Sequence, residues 1–205
     1  MNKNLKIILL ILGCLIVSFI IRMFIITGII FLLFNSAKVE VNKDINKYNN
    51  YMGVNAKEQY KIKWGMNETI FPNKITNNMN VKDYKMVYYD PWDKQFLSYL
   101  VVEYDDDNYQ KEVERLKNYK SNNYIGYYGV TGFSKYQLLA MNADSYYGFV
   151  YALTDNDNTI IYVEMIFCNY FYDLEYKKYI PNDYLPDGFD AKLDNEYQKK
   201  MLEED

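Results

Sequence analysis

The chain has 205 residues, 27 acidic against 23 basic and no histidine, for a formal charge of −4. Without histidine it lacks the commonest general base and metal ligand. Setting aside Lys3, Lys6 and Arg22 leaves 20 bases against all 27 acids in residues 38–205, a balance that argues against a nucleic-acid partner.

Residues 7–21 are unbroken apolar chain, Arg22 interrupts, and residues 23–34 resume it. As a helix this stretch is about 42 Å long at 1.5 Å per residue, enough to cross a hydrocarbon core of roughly 30 Å once, with tilt, and too short for two spans. The sequence therefore predicts a short tail over 1–6 and a transmembrane anchor over 7–34, with the lipid bilayer as its first partner. Three other readings compete. A cleaved signal peptide fits the basic start but not the length of the apolar stretch or the Asn35-Ser36-Ala37 junction. A lipid-modified Cys14 fits Leu12-Gly13-Cys14 but not the apolar residues that follow, and a buried helix of a soluble protein would need cover all round. Lys3 and Lys6 stand before the span without an acid, whereas Lys38, Lys43 and Lys47 beyond it are mixed with Glu40 and Asp44, which places the amino terminus inside and the domain outside.

Val41, Ile45, Tyr48 and Met52 recur at helical spacing before Gly53, so 35–53 reads as a juxtamembrane helical linker. The remaining 54–205 suffices for one domain. Its only cysteine, Cys168, follows Met165, Ile166 and Phe167 and reads as a buried thiol, so stability must come from packing.

Asn55 and Glu58 signal a short helix closed by Gly65 after Trp64, and 66–80, with Pro72 and several asparagines, reads as irregular. Residues 81–89 and 95–104 flank Asp90-Pro91-Trp92-Asp93, a turn with Asp and Pro in their favoured positions, and predict a hairpin. Asp105, Asp106 and Asp107 lead into an amphipathic helix over 109–120, with Tyr109, Val113, Leu116 and Tyr119 on one stripe. Strands over 136–142, 147–154 and 159–168, joined by short turn-forming links, predict an antiparallel meander. Pro181 and Pro186-Asp187-Gly188 mark turns before a closing helix over 190–203. The fold class is α+β: a transmembrane helix, then one domain with an antiparallel sheet and packed helices.

Candidate sites are few. Gly126, Gly129 and Gly132 lack the flanking residues of a nucleotide fingerprint, and Asp155-x-Asp157-x-Thr159 has Ile160 and Ile166 where a calcium loop needs Gly and Glu. These read as a loop and a turn; no cofactor and no metal site is indicated. Glu103 and Glu164 each interrupt an apolar strand. Facing one cleft, they would form an acid and base pair of the kind that cleaves glycosides; the plainer reading points each to solvent at a strand end or edge. Trp64, Trp92 and the tyrosines suit an aromatic platform for sugars or a partner protein, although most strand tyrosines belong to the core. Trp92, between Asp90 and Asp93 at the tip of the turn, is the expected exposed binding residue. The leading functional expectation is a non-enzymatic, membrane-tethered interaction module of the cell envelope that binds an envelope protein or a cell-wall polymer. The alternatives are a carboxylate enzyme acting on envelope glycans, and an accessory subunit of a membrane complex in which Arg22 meets a neighbouring helix.

Overall fold

The computed structural model describes residues 3–204 except 54, 62, 64, 65, 67, 68, 168–170, 172 and 173, with backbone alone at 3–10, 33–36 and 204. Contacts divide the chain into two units, 1–38 and 39–205. The first is one unbroken helix, α1 (Lys3–Ser36). Within it Ile11–Leu32 is long and apolar enough to cross a membrane, and none of that segment is buried. Nothing in its sequence stops the helix: it holds no proline, the helical backbone bonds to itself between its ends, and leucine, isoleucine and phenylalanine give it a largely apolar surface.

The second unit is α+β, built on a six-stranded antiparallel sheet: β1 (Glu40–Asn42), β2 (Asn80–Tyr89), β3 (Gln95–Glu103), β4 (Gln137–Asp144), β5 (Gly148–Thr154) and β6 (Thr159–Ile166). The spatial order is β1-β2-β3-β6-β5-β4, so the hairpin and the meander are joined through β3 and β6. Both joining strands are central and, apart from Gln95, Ser98 and Glu164, their buried residues are apolar on both faces, as befits a strand covered on two sides. The stretch read from sequence as a helical linker contributes instead the edge strand β1, paired with Met86, Val87 and Tyr88 of β2, and then the short helix α2 (Tyr48–Tyr51). Its apparent helical spacing arises because Tyr48 and Met52 pack into the core from this short helical turn and its end, while Val41 is an exposed strand residue.

One face of the sheet presents Tyr84, Met86, Phe96, Leu100, Tyr162 and Ile166 to a layer made by α2, α3 (Glu58–Lys61), the segment around Ile70 and Phe71, and α4 (Asp106–Lys117). Helix α4 begins three residues earlier than its apolar stripe suggested, because Asp105 caps it by accepting from Asn108 N at 2.9 Å. It buries Tyr109, Val113 and Leu116. Arg115 fastens the neighbouring segment by donating to the carbonyls of Thr69 and Ile70 at 2.8 and 2.7 Å.

The opposite face, with Leu97, Tyr99, Phe149, Tyr151 and Val163, lies beneath irregular chain rather than helix. Tyr128 and Phe189 stack edge-on against Phe149, Phe133 packs on Tyr151, and Tyr184 on Tyr99. The closing helix α5 (Glu196–Glu204) is shorter than expected and sets Tyr197 against Tyr128.

Candidate functional site

Glu164 and Ser98 are direct register partners on β6 and β3, so both point into the layer of α2, α3 and α4. The Glu164 side chain is 1 % exposed. An unpaired carboxylate there would be costly. Lys63, 9 % exposed and two residues past α3, supplies the counter-charge through a direct contact between its ammonium and Oε1, while Ser98 Oγ donates to Oε2 at 3.0 Å. The same ammonium lies 3.5 Å from Met52 Sδ and 5.3 Å from the centre of the Phe96 ring.

Glu103 is the opposite case. At the last position of β3 it is exposed, and it accepts from Lys82 Nζ at 2.7 Å and Asn80 Nδ2 at 2.7 Å. These bonds, Lys82 foremost, hold its carboxyl below the usual carboxylate range. Its register partner on β6 is Thr159, five residues from Glu164. An odd separation puts the two carboxylates on opposite faces of the sheet, and five residues at about 3.3 Å each put them roughly 17 Å apart. They cannot flank one bond. The reading of Glu103 as a solvent-facing carboxylate at a strand end holds; Glu164 is instead buried in a central strand.

Above the Lys63–Glu164 pair opens a cavity of about 440 Å³ lined by Tyr51, Tyr60, Lys63, Met66, Phe71 and Asn73, among others. The Tyr51 and Tyr60 rings lie 4.8 Å apart, and their hydroxyls donate to the two oxygens of Glu40 at 2.9 and 2.8 Å. Burial, reinforced by the Glu40 carboxylate, pushes the Tyr51 phenol up to about 12 and raises that of Tyr60 as well. Both hydroxyls are thus fixed as donors toward β1, and the rest of the wall combines Met66 and Phe71 with the polar residues Lys61, Lys63, Thr69 and Asn73. Gly53 is required at the rim: with φ of +75°, its added Cβ would stand 2.2 Å from the Asn73 carbonyl oxygen.

The cavity adjoins the turn singled out in the sequence. Tyr60 stacks edge-on against Tyr88 at 5.0 Å, and the Tyr88 hydroxyl donates to Asp90 at 2.7 Å. Lys94, just past the turn, donates to the Gln59 carbonyl of α3 at 3.3 Å. Asp90 is exposed, Trp92 is 55 % exposed, and Asp93 is half-buried. Trp64 and Cys168 lie outside the described residues.

The remaining motifs are structural. Asp155 accepts from the amides of Asp157 and Thr159, closing the turn between β5 and β6. Gly129 meets Gly188 so closely that a Cβ would lie 2.8 Å from the Gly188 carbonyl oxygen. Among the described residues no group of three His, Cys, Asp or Glu side chains could hold a metal ion. Sequence reasoning missed Glu40, Tyr51, Tyr60 and Lys63. The one available signal was Glu164 itself, a carboxylate inside an apolar strand that demands a partner. No protein-family model, curated protein or solved structure matches the chain.

Proposed function

We propose that the chain is a membrane-tethered, non-enzymatic binding module of the cell envelope. Its amino terminus lies inside, its acidic domain lies outside, and it takes a cell-wall polymer or an envelope protein on the surface formed by the Asp90–Asp93 turn and the adjoining cavity. The observation that carries this reading is an exposed indole, Trp92, on a turn whose Asp90 accepts from Tyr88, the ring that stacks edge-on against Tyr60 of the cavity wall. Rigid aromatic groups offer large contact area at small entropic cost, and the mixture of ring faces with amide and carbonyl groups suits a hydroxylated polymer. Tethering is supported by the length and apolarity of Ile11–Leu32, and orientation by Lys3 and Lys6 before a span that no acid precedes.

The test is co-sedimentation of detergent-solubilised full-length protein with purified insoluble cell wall. Trp92→Ala should weaken binding about tenfold, on the scale of losing one aromatic anchor, while leaving the thermal midpoint unchanged. Unaltered binding to wall, and unaltered recovery of co-purifying envelope proteins, would remove this surface from consideration. A reporter fused after Asp205 that proved cytoplasmic would overturn the orientation.

A further inference from the structure

Arg22 sits near the middle of the apolar helix. Fifteen residues separate it from Ile7 and twelve from Phe34, the ends of the apolar stretch, which at 1.5 Å per residue puts it about 22 and 18 Å from them. An arginine side chain reaches about 6–7 Å, so a central one cannot bring its guanidinium to either interface by bending along the helix. The helix offers no relief of its own. It runs unbroken from Lys3 to Ser36, which commits the backbone carbonyls around Arg22 to helical bonds, and among the described residues the Arg22 side chain has neither a hydrogen bond nor an ion pair.

We propose that Arg22 is the docking residue for a second transmembrane helix that carries a carboxylate at the same depth. The inference rests on the membrane reading of α1. A second copy of this chain does not fit: Glu40 is the first acidic residue in the sequence, so paired copies would bring arginine to arginine with no carboxylate at that depth. The partner is therefore a different chain, recognised by charge. The contact face follows from helical spacing: Leu15, Ser18, Ile26 and Ile29 share the side of Arg22, while Phe24 and Phe31 project from the other. Ser18, one turn before Arg22, adds a hydroxyl beside the guanidinium, the kind of small polar residue that supports helix contacts in lipid.

The full-length protein is reconstituted into phosphatidylcholine vesicles with labelled synthetic leucine–alanine helices of about 20 residues bearing a single central Glu or Gln. Energy transfer should show the Glu helix associating about tenfold more than the Gln helix, the scale of one polar interhelical contact. Arg22→Leu should erase that difference. In native membranes, photo-cross-linkers at Leu15 and Ile29 should give adducts to another protein that disappear in Arg22→Leu, whereas Phe24 and Phe31 should not. Protein that floats with the vesicles yet shows no preference for Glu, cross-links only to lipid, or cross-links to its own copies overturns the proposal and leaves the anchor standing. Failure to float overturns both.

Discussion

Glu164 puts a full charge into an apolar layer, and Lys63 is what makes it tolerable. With both side chains at least nine-tenths buried, removing either partner strands the other. Lys63→Met and Glu164→Leu should each destabilise the protein by about 3–5 kcal/mol, while the double variant should come within about 1 kcal/mol of the parent, because matched apolar groups dispense with two desolvation penalties. Urea denaturation of the three variants reads this directly, and additive losses would refute the coupling. Half of the pair was legible in the sequence. A carboxylate between Val163 and Met165 marks a position in need of explanation, but its counter-ion lies 101 residues away and in no periodic element, so no local pattern leads to it. Glu103 shows the converse, since a carboxylate closing an apolar strand next to three aspartates already reads as the point where the chain returns to solvent.

At the scale of elements, what the sequence made legible was whatever depends on short-range order. The hairpin turn at Asp90 and the links of the meander fix five strands, because turn chemistry and alternation act within a few residues. What it hid was the pairing of β3 with β6 and the edge strand β1, both decided by contacts between distant segments. Three residues carry no readable alternation, and β1 owes its place to the free edge of β2. The far edge of the sheet is closed by a different device. Ser121 Oγ accepts from Met141 N at 3.0 Å, and the Asn122 side chain both accepts from the Ala143 amide at 2.7 Å and donates to its carbonyl, so one amide group occupies the place of a neighbouring strand. Such edges otherwise template pairing between molecules. Asn122→Ala should cost about 1–2 kcal/mol through the exposed or unsatisfied Ala143 groups and should raise light scattering on prolonged incubation near the thermal midpoint. A variant with unchanged midpoint and scattering would show that water or neighbouring chain satisfies β4 equally well.

Across the whole molecule the two faces of the sheet are covered by different materials, helical segments on one and irregular chain on the other, and tyrosine fastens both. With 24 tyrosines and Cys168 the only cysteine beyond α1, the domain relies on aromatic packing where a disulfide could have served. The consequence is a sensitivity to alkali whose sign is fixed. Burial raises the phenols of Tyr51 and Tyr176 from 10 to about 12, and drives those of Tyr151 and Tyr162 well above their ordinary value. Between pH 10 and 12 the unfolded chain has released these protons and the folded one has not. The native state then binds more protons, and stability falls as pH rises; below pH 10 the contribution is present in full. Tyrosinate absorbance and far-ultraviolet circular dichroism, followed together in an alkaline titration, should show one class of phenols ionising while the fold persists. A second class should ionise only with the loss of secondary structure, between about pH 10 and 12. Core phenols that all titrated smoothly near 10, with the dichroism intact, would mean that water reaches Tyr151 and Tyr162. The packing of both layers on the sheet would then have to be looser than their complete burial requires.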